Sequence, residues 1–200
     1  MPIHNRSFLP SRVVRICLLS AALVGVGTLA ACGDPYTLKA TYPNEAQTFV
    51  VHALSGTPTY YSSGLALLVR QVTRVDGSLS FDIAFDLDQN NDVVILPVKM
   101  VGRGIGQSRL VGLKAGGGTF DQVISATTTG YRYDSVLVVR KGETFVVQSQ
   151  TATCANSITP YIYSKASIDS VDTIERKIYG RLLVNLNCGF RGLATGLPLN

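Results

Sequence analysis

Between residues 78 and 88 the chain alternates with a period of two. Leu79, Phe81, Ile83, Phe85 and Leu87 take one parity, and Ser80, Asp82, Ala84, Asp86 and Asp88 take the other. An extended chain sends successive side chains to opposite faces, so this pattern makes a strand with an apolar core face and a wet face. A helix, turning every 3.6 residues, would smear the same residues around its whole circumference.

The rest of the chain repeats the theme. Residues 92–101 are rich in Val, Ile and Leu, and Gln89-Asn90-Asn91 before them tolerates positive φ, so 78–101 reads as a hairpin. A second hairpin is expected from 135–140 and 144–149, joined through Lys141-Gly142. A third joins 160–171 to 176–187, where Ile178, Gly180, Leu182, Val184 and Leu186 alternate with Lys177, Tyr179, Arg181, Leu183 and Asn185. Further strands are expected at 47–54, 65–72 and 108–113. Residues 119–129 mix helical spacing at Phe120, Val123 and Ile124 with the extended preference of Thr127-Thr128-Thr129. Short strands bounded by Gly, Pro, Asn and Asp, with no long helical pattern, predict an all-β fold. The expected form is an antiparallel β-sandwich of about eight or more strands, immunoglobulin-like or similar, with a β-barrel as the second solution.

The first thirty residues follow another logic. Arg6, Arg12 and Arg15 precede an apolar run that begins near Ile16 and ends in Leu29-Ala30-Ala31-Cys32. The run is shorter than the roughly 20 apolar residues a membrane span needs, and Gly25 and Gly27 weaken it as a helix. Basic residues, a short apolar stretch and small residues at a cut site are the layout of an export signal. The tetrad resembles the lipobox of bacterial lipoproteins, a similarity confined to residues 1–34. It implies that Cys32 carries diacylglycerol on its sulfur, typically with palmitate-type chains, that the peptide before it is removed, and that the new amino terminus is acylated. Two or three acyl chains at about 0.8 kcal/mol per buried methylene give lasting membrane attachment. The organisation expected is a signal peptide at 1–31, a tether at 32–43 and one β-rich domain at 44–200. Gly33 stands where aspartate goes with inner-membrane retention in that family, so the resemblance leans to the outer membrane, facing periplasm or surface.

Removing the signal recasts the charge. The whole chain carries +5, but three basic residues leave with the signal and all thirteen acids remain, so fifteen bases face thirteen acids at a net +2. The basic pI of the whole chain is therefore no nucleic-acid footprint, and nucleic acid is not an expected partner. Cys17 leaves with the signal and Cys32 becomes the anchor, so Cys154 and Cys188 remain. An oxidising exported compartment makes them a disulfide that staples the open end of the third hairpin. They lack the Cys-x-x-Cys spacing of a redox pair and the histidines of a zinc site.

Candidate chemistry is sparse. Asp86, Asp88, Asn90 and Asp92 place oxygen-bearing side chains at alternating positions, a donor set suited to calcium. The segment resembles the first half of an EF-hand-type loop, but Asn91 stands at its glycine position and Pro97 at its closing glutamate. A solvated hairpin explains the same residues without metal, and no other cofactor is implied. There is no Gly-x-Ser-x-Gly, His-Glu-x-x-His, P-loop or Rossmann fingerprint, and Gly102-Arg103-Gly104-Ile105-Gly106 reads as a connection. His52, the one histidine after the signal, reads as an outward strand residue rather than a base. Tyr60 and Tyr61 are adjacent, while Tyr131 with Tyr133 and Tyr161 with Tyr163 share strand faces, which suits either a binding platform or cross-strand packing. Lys99, Arg103, Arg109 and Lys114 lie in a stretch without acids, a surface for anionic polymers or headgroups if they assemble.

Three classes of function follow. The favoured one is a non-enzymatic binding or scaffolding domain in the cell envelope, held to the membrane by its N-terminal lipid and facing an envelope protein or polysaccharide. The others are an envelope-acting hydrolase without a recognisable motif and a calcium-stabilised adhesion module.

Overall fold

The alternating segment lies at the centre of a sheet. The computed structural model describes residues 39–76, 78, 80–101 and 109–198, of which Ala40 onward belong to one compact unit. Leu29 to Cys32, the tether as far as residue 38, Leu79 and Arg103 with the rest of 102–108 lie outside the described residues. Among the described residues the strands are β1 Ala46–His52, β2 Ser62–Ala66, β3 Gln71–Arg74, β4 Ile83–Leu87 and β5 Val93–Pro97. They continue with β6 Val111–Ala115, β7 Leu137–Val139, β8 Thr144–Gln150, β9 Tyr161–Asp172 and β10 Lys177–Asn185. One sheet runs β1-β10-β9-β8-β6 and the other β3-β2-β4-β5-β7, antiparallel throughout. The expected antiparallel β-sandwich is the fold.

A single apolar layer joins the two sheets. Phe81, Ile83, Phe85 and Leu87 meet Ile95 of β5, Phe145 and Val147 of β8, Ile168 of β9, and Ile178, Leu182 and Val184 of β10. Each such side chain, fully buried, contributes about 1.5–3 kcal/mol. The third hairpin forms as expected, β9 against β10, with a register shift at Tyr179/Gly180. The first forms as well, and Asn91 takes φ +63° in its turn.

Four expectations need correction. Residues 65–72 are not one strand: the chain turns at Leu67–Arg70, where Arg70 N donates to Leu67 O and Arg70 adopts φ +56°, so β2 and β3 form a hairpin. Nothing glycine-like marks that turn. Residues 135–149 make the expected turn, with Gly142 at φ +84°, but β7 pairs with β5 while β8 pairs with β6 and β9, so the turn is a crossover between sheets. Both arms still face the common core, through Val139 and through Phe145 and Val147. After Pro97 the chain closes into one helical turn, Val98–Val101, rather than continuing as a strand.

The fourth correction concerns the wet face of residues 78–88. Asp82 and Ala84 are buried. Asp82 Oδ2 accepts from Leu67 N at 2.7 Å, its Oδ1 accepts from Ser149 Oγ at 2.5 Å, and Arg109 Nη1 lies 3.8 Å away. Because Ser149 belongs to β8, this carboxylate fastens one sheet to the other. A buried carboxylate is tolerated where several donors face it.

The outer face of β8, β9 and β10 is covered too. Phe120, Val123, Ala126 and Leu193 pack on Val146, Tyr163 and Leu183 as a second apolar cluster. Residues 119–129 form no helix; Gln122 N and Val123 N both donate to Thr119 O in one isolated turn, and Ser125 bridges Gly192.

Candidate functional site

The domain has two distinct ends along β1. At its start Ala46 lies opposite Leu183 of β10, and the preceding residues continue along the same neighbour. Thr41 N and Tyr42 N donate to Asn187 Oδ1 at 2.6 and 2.9 Å, and Asn187 Nδ2 returns a bond to Tyr42 O at 2.8 Å. Next to Asn187, Cys188 is disulfide-bonded to Cys154, with Cα atoms 5.5 Å apart. Cys154 ends a short 3₁₀ turn capped by Thr151. The expected pairing is present, and it ties β8 and β10 together where the chain enters the sheet.

The other end carries aromatic rings. His52, opposite Lys177, stacks on Tyr61 with ring centroids 4.2 Å apart and 16° between planes, and Tyr60 meets the Tyr61 ring edge-on at 4.7 Å. Tyr60 remains 61% exposed, and its hydroxyl is held above the ordinary phenol value by its hydrogen bond and charge interaction with Tyr61. Val50 and its cross-strand partner Tyr179, both exposed, extend this surface along the sheet. His52 is the outward strand residue expected, on the outer parity of β1, and it takes part in an aromatic stack. Beside it, Asp86 accepts from Ser55 Oγ at 2.6 Å and Ser55 N at 3.0 Å, while Arg176 donates to Ser55 O at 2.8 Å and lies 3.5 Å from Asp86. This clamp joins the N-terminal end of β10 to β4.

The calcium donor set does not converge. Asp86 belongs to that clamp, Asp88 Oδ1 accepts from Asn90 N and Asp92 N at 2.8 and 2.9 Å inside its own turn, and Asp92 pairs with Arg140 at 3.4 Å. Asn90 is exposed. Among the described residues no three His, Cys, Asp or Glu side chains are grouped to hold a metal ion. The hairpin's own backbone hydrogen bonds account for the acids in the loop.

The four tyrosines of the other two pairs come together on the outer face of β8 and β9. Tyr133 OH is bonded to Gln148 Oε1, Gln148 Nε2 donates to Tyr163 OH at 2.9 Å, and the Tyr131 and Tyr163 rings are 6.2 Å apart. Gly112 makes room for them: a Cβ there would lie 2.7 Å from Tyr133 and 2.8 Å from Tyr131. Burial pushes the Tyr131 and Tyr133 hydroxyls above their ordinary value, so they stay neutral donors. Cross-strand packing explains this group better than an open platform.

Two features escaped the sequence reading. Lys165 of β9 is 3% exposed; its Nζ donates to Phe120 O at 2.5 Å and Val123 O at 2.9 Å and lies 4.3 Å above the Phe120 ring. Burial lowers its amine pKa. This pin holds the outer segment onto the sheet, and a lysine on a polar strand parity gave no hint of it. The basic residues also behave differently from a shared surface: Lys114 Nζ donates to Thr127 Oγ1 and Thr129 O, Arg109 engages Phe81 O and Asp82, and Lys99 stands exposed on its helical turn.

Clefts open along both sides of the sandwich. One of about 520 Å³ separates β1 from β3 and is lined by Thr48, Phe49, Val50, Leu65, Arg70 and Val72 among others, with no acid and no histidine. The second, about 380 Å³, lies between β6 and β7 and has Glu143 as its sole ionisable group. General acid–base work needs at least one correctly placed proton-transfer group, and cleavage of glycosides needs two carboxyls. Neither cleft supplies such a pair. The chain matches no protein-family model, no curated protein and no solved structure.

Proposed function

We propose that this protein is an exported lipoprotein, anchored through Cys32, whose β-sandwich is a non-enzymatic binding or scaffolding domain in the cell envelope. The observation that carries the reading is Leu29-Ala30-Ala31-Cys32 at the end of a short apolar run behind three arginines. The domain's geometry is compatible with it. The chain enters beside the Cys154–Cys188 disulfide, and the exposed aromatic group of His52, Tyr60 and Tyr61 lies at the opposite end of β1. A disulfide suits an oxidising compartment. A rigid sandwich presenting loops is a common frame for recognition surfaces.

The partner is an envelope protein or polysaccharide reached from the membrane surface, with the outer membrane favoured by Gly33. The nine residues from Cys32 to Ala40 extend at most about 32 Å, so the domain works close to the lipid. Exposed tyrosines suit partner contacts because they bury a large ring while keeping a polar tip. The test is fractionation of cells expressing the wild type and Cys32→Ser. The wild type sediments with membranes as the cleaved form, whereas the variant is either released or retained at the higher mass of the uncleaved chain; equal membrane retention of both at the same processed mass refutes the anchor. Capture from intact envelope with wild type and with Tyr60→Ala/Tyr61→Ala tests the aromatic group, since equal recovery of partners would remove it from the binding surface.

A further inference from the structure

We infer that β1 is a pairing edge for a second copy of this chain, joining two sandwiches into one continuous ten-stranded sheet. The four sheet edges are not alike. The β6 edge is bridged by Arg132, which exchanges two backbone bonds with Leu113, and carries Lys114. At the edges of the other sheet, β3 has four residues and ends in Arg74, and β7 has three. Short strands, charge and covering segments are how sheet edges are kept from pairing. Among the described residues Ala46–His52 itself carries none of these: it is seven residues long, runs in unbroken register and contains no Lys, Arg, Asp, Glu or Pro, and the covering bridge from Gly196 reaches only Asn44, two residues before the strand.

The direction of its free groups follows from the ladder. Ala53 N donates to Arg176 O, one step past the pair His52 and Lys177, so the odd-numbered residues of β1 bond to β10. The N–H and C=O groups of Thr48, Val50 and His52 therefore point away from the sheet. A second β1 laid antiparallel with its Phe49 facing Phe49 sets Thr48 of each copy opposite Val50 of the other and pairs all of these groups. No charge opposes the pairing. The seam would continue the exposed surface of Val50 and Tyr179, and Val72 stands exposed across the neighbouring cleft.

The strand spans about 23 Å, and one seam of that length buries less than the roughly 1,200 Å² usual for a stable complex in free solution. Confinement on a membrane supplies the missing effective concentration, and for that term alone the inference rests on the proposed anchor. A second copy is favoured over a foreign strand because the segment is uncharged and self-complementary about Phe49.

The test uses the full-length chain carrying Thr48→Cys and Val50→Cys, both at exposed positions. Oxidation or a short bis-maleimide is applied to membranes and to concentrated purified protein. The expected product is a covalent dimer of the chain, while Gln71→Cys/Thr73→Cys on β3 gives none. A yield no higher than that control overturns the inference, and so does a product joined to a different protein. Adding Ala46→Pro/His52→Lys to the reporter pair, which removes an outward-facing N–H and places a charge on the seam, lowers the dimer yield at least tenfold with the melting transition still cooperative. Where the protein fractionates decides the anchor separately, because the purified chain reports the pairing in either case.

Discussion

Gly180 tests the centre of the sandwich most sharply. It sits in β10 directly opposite Phe49, beside the register shift against β9. A Cβ built there lies 2.3 Å from Ser167 O, 2.5 Å from Phe49 Cζ and 2.8 Å from Phe49 Cε1. The ring can give way, but the carbonyl belongs to the backbone of the neighbouring strand. Forcing a methyl into such a site costs about 1–3 kcal/mol, and the backbone clash puts Gly180→Ala at the upper part of that range. Reduced freedom of the unfolded chain returns about 0.4–1 kcal/mol. The net loss is then about 2 kcal/mol, which for a domain of this size lowers Tm by about 4–8 °C. Differential scanning calorimetry reads it directly. Phe49→Leu destabilises alone, yet in the double variant it relieves part of the clash, so the combined loss falls short of the sum by about 1 kcal/mol. A Gly180→Ala protein with unchanged or raised Tm, as an ordinary exposed strand glycine would give, refutes the packing of Phe49 over Gly180.

Further outcomes follow from other contacts. Cys154→Ala/Cys188→Ala frees a loop with a sequence separation of 34 and costs roughly 3.5–4 kcal/mol on the chain-entropy model, measured by urea unfolding; a loss below 1 kcal/mol contradicts it. Lys165→Met strands Phe120 O and Val123 O and costs about 1–3 kcal/mol, with hydrogen exchange speeding up first around residues 119–126. Because burial lowers the Lys165 pKa from 10.5, the unfolded chain binds the extra proton between the folded value and 10.5. Wild-type stability relative to Lys165→Met therefore rises with pH through that window, and a flat difference would sink the assignment. Calcium and chelator leave the melting midpoint equal, since Asp86, Asp88 and Asp92 are engaged elsewhere; a calcium-dependent rise would restore the metal reading.

The parts legible in the sequence are those set by local pattern. Period-two alternation located β4 and β10, Asn91 marked a turn needing positive φ, and the spacing of the third hairpin brought Cys154 to Cys188. What was illegible depends on partners far along the chain. Lys141-Gly142 specifies a turn, but which sheet the next strand joins is decided by Phe145 and Val147 finding neighbours on β6 and β9. Arg70 turns the chain without glycine, helped by Gln47 Nε2, which donates to its carbonyl at 2.7 Å. Lys165 and Gln148 look like wet-face residues; Lys165 is buried because residues 119–126 fold back over it, and Gln148 is held between the hydroxyls of Tyr133 and Tyr163. The same acids that suggested calcium are the ones a hairpin and an inter-strand clamp use, and alternation alone could not separate those roles. The tyrosine pairs were legible as pairs, but Gly112, which lets them pack, carried no local signal.

The central claim is that Cys32 is the acylated first residue of the mature protein. Intact mass and N-terminal peptide analysis of protein extracted from membranes tests it most directly. The account predicts a mature chain that begins at Cys32 and carries diacylglycerol and an N-linked acyl chain, with Cys154 and Cys188 joined. A mature chain that begins elsewhere, or one whose Cys32 bears an unmodified thiol, contradicts it.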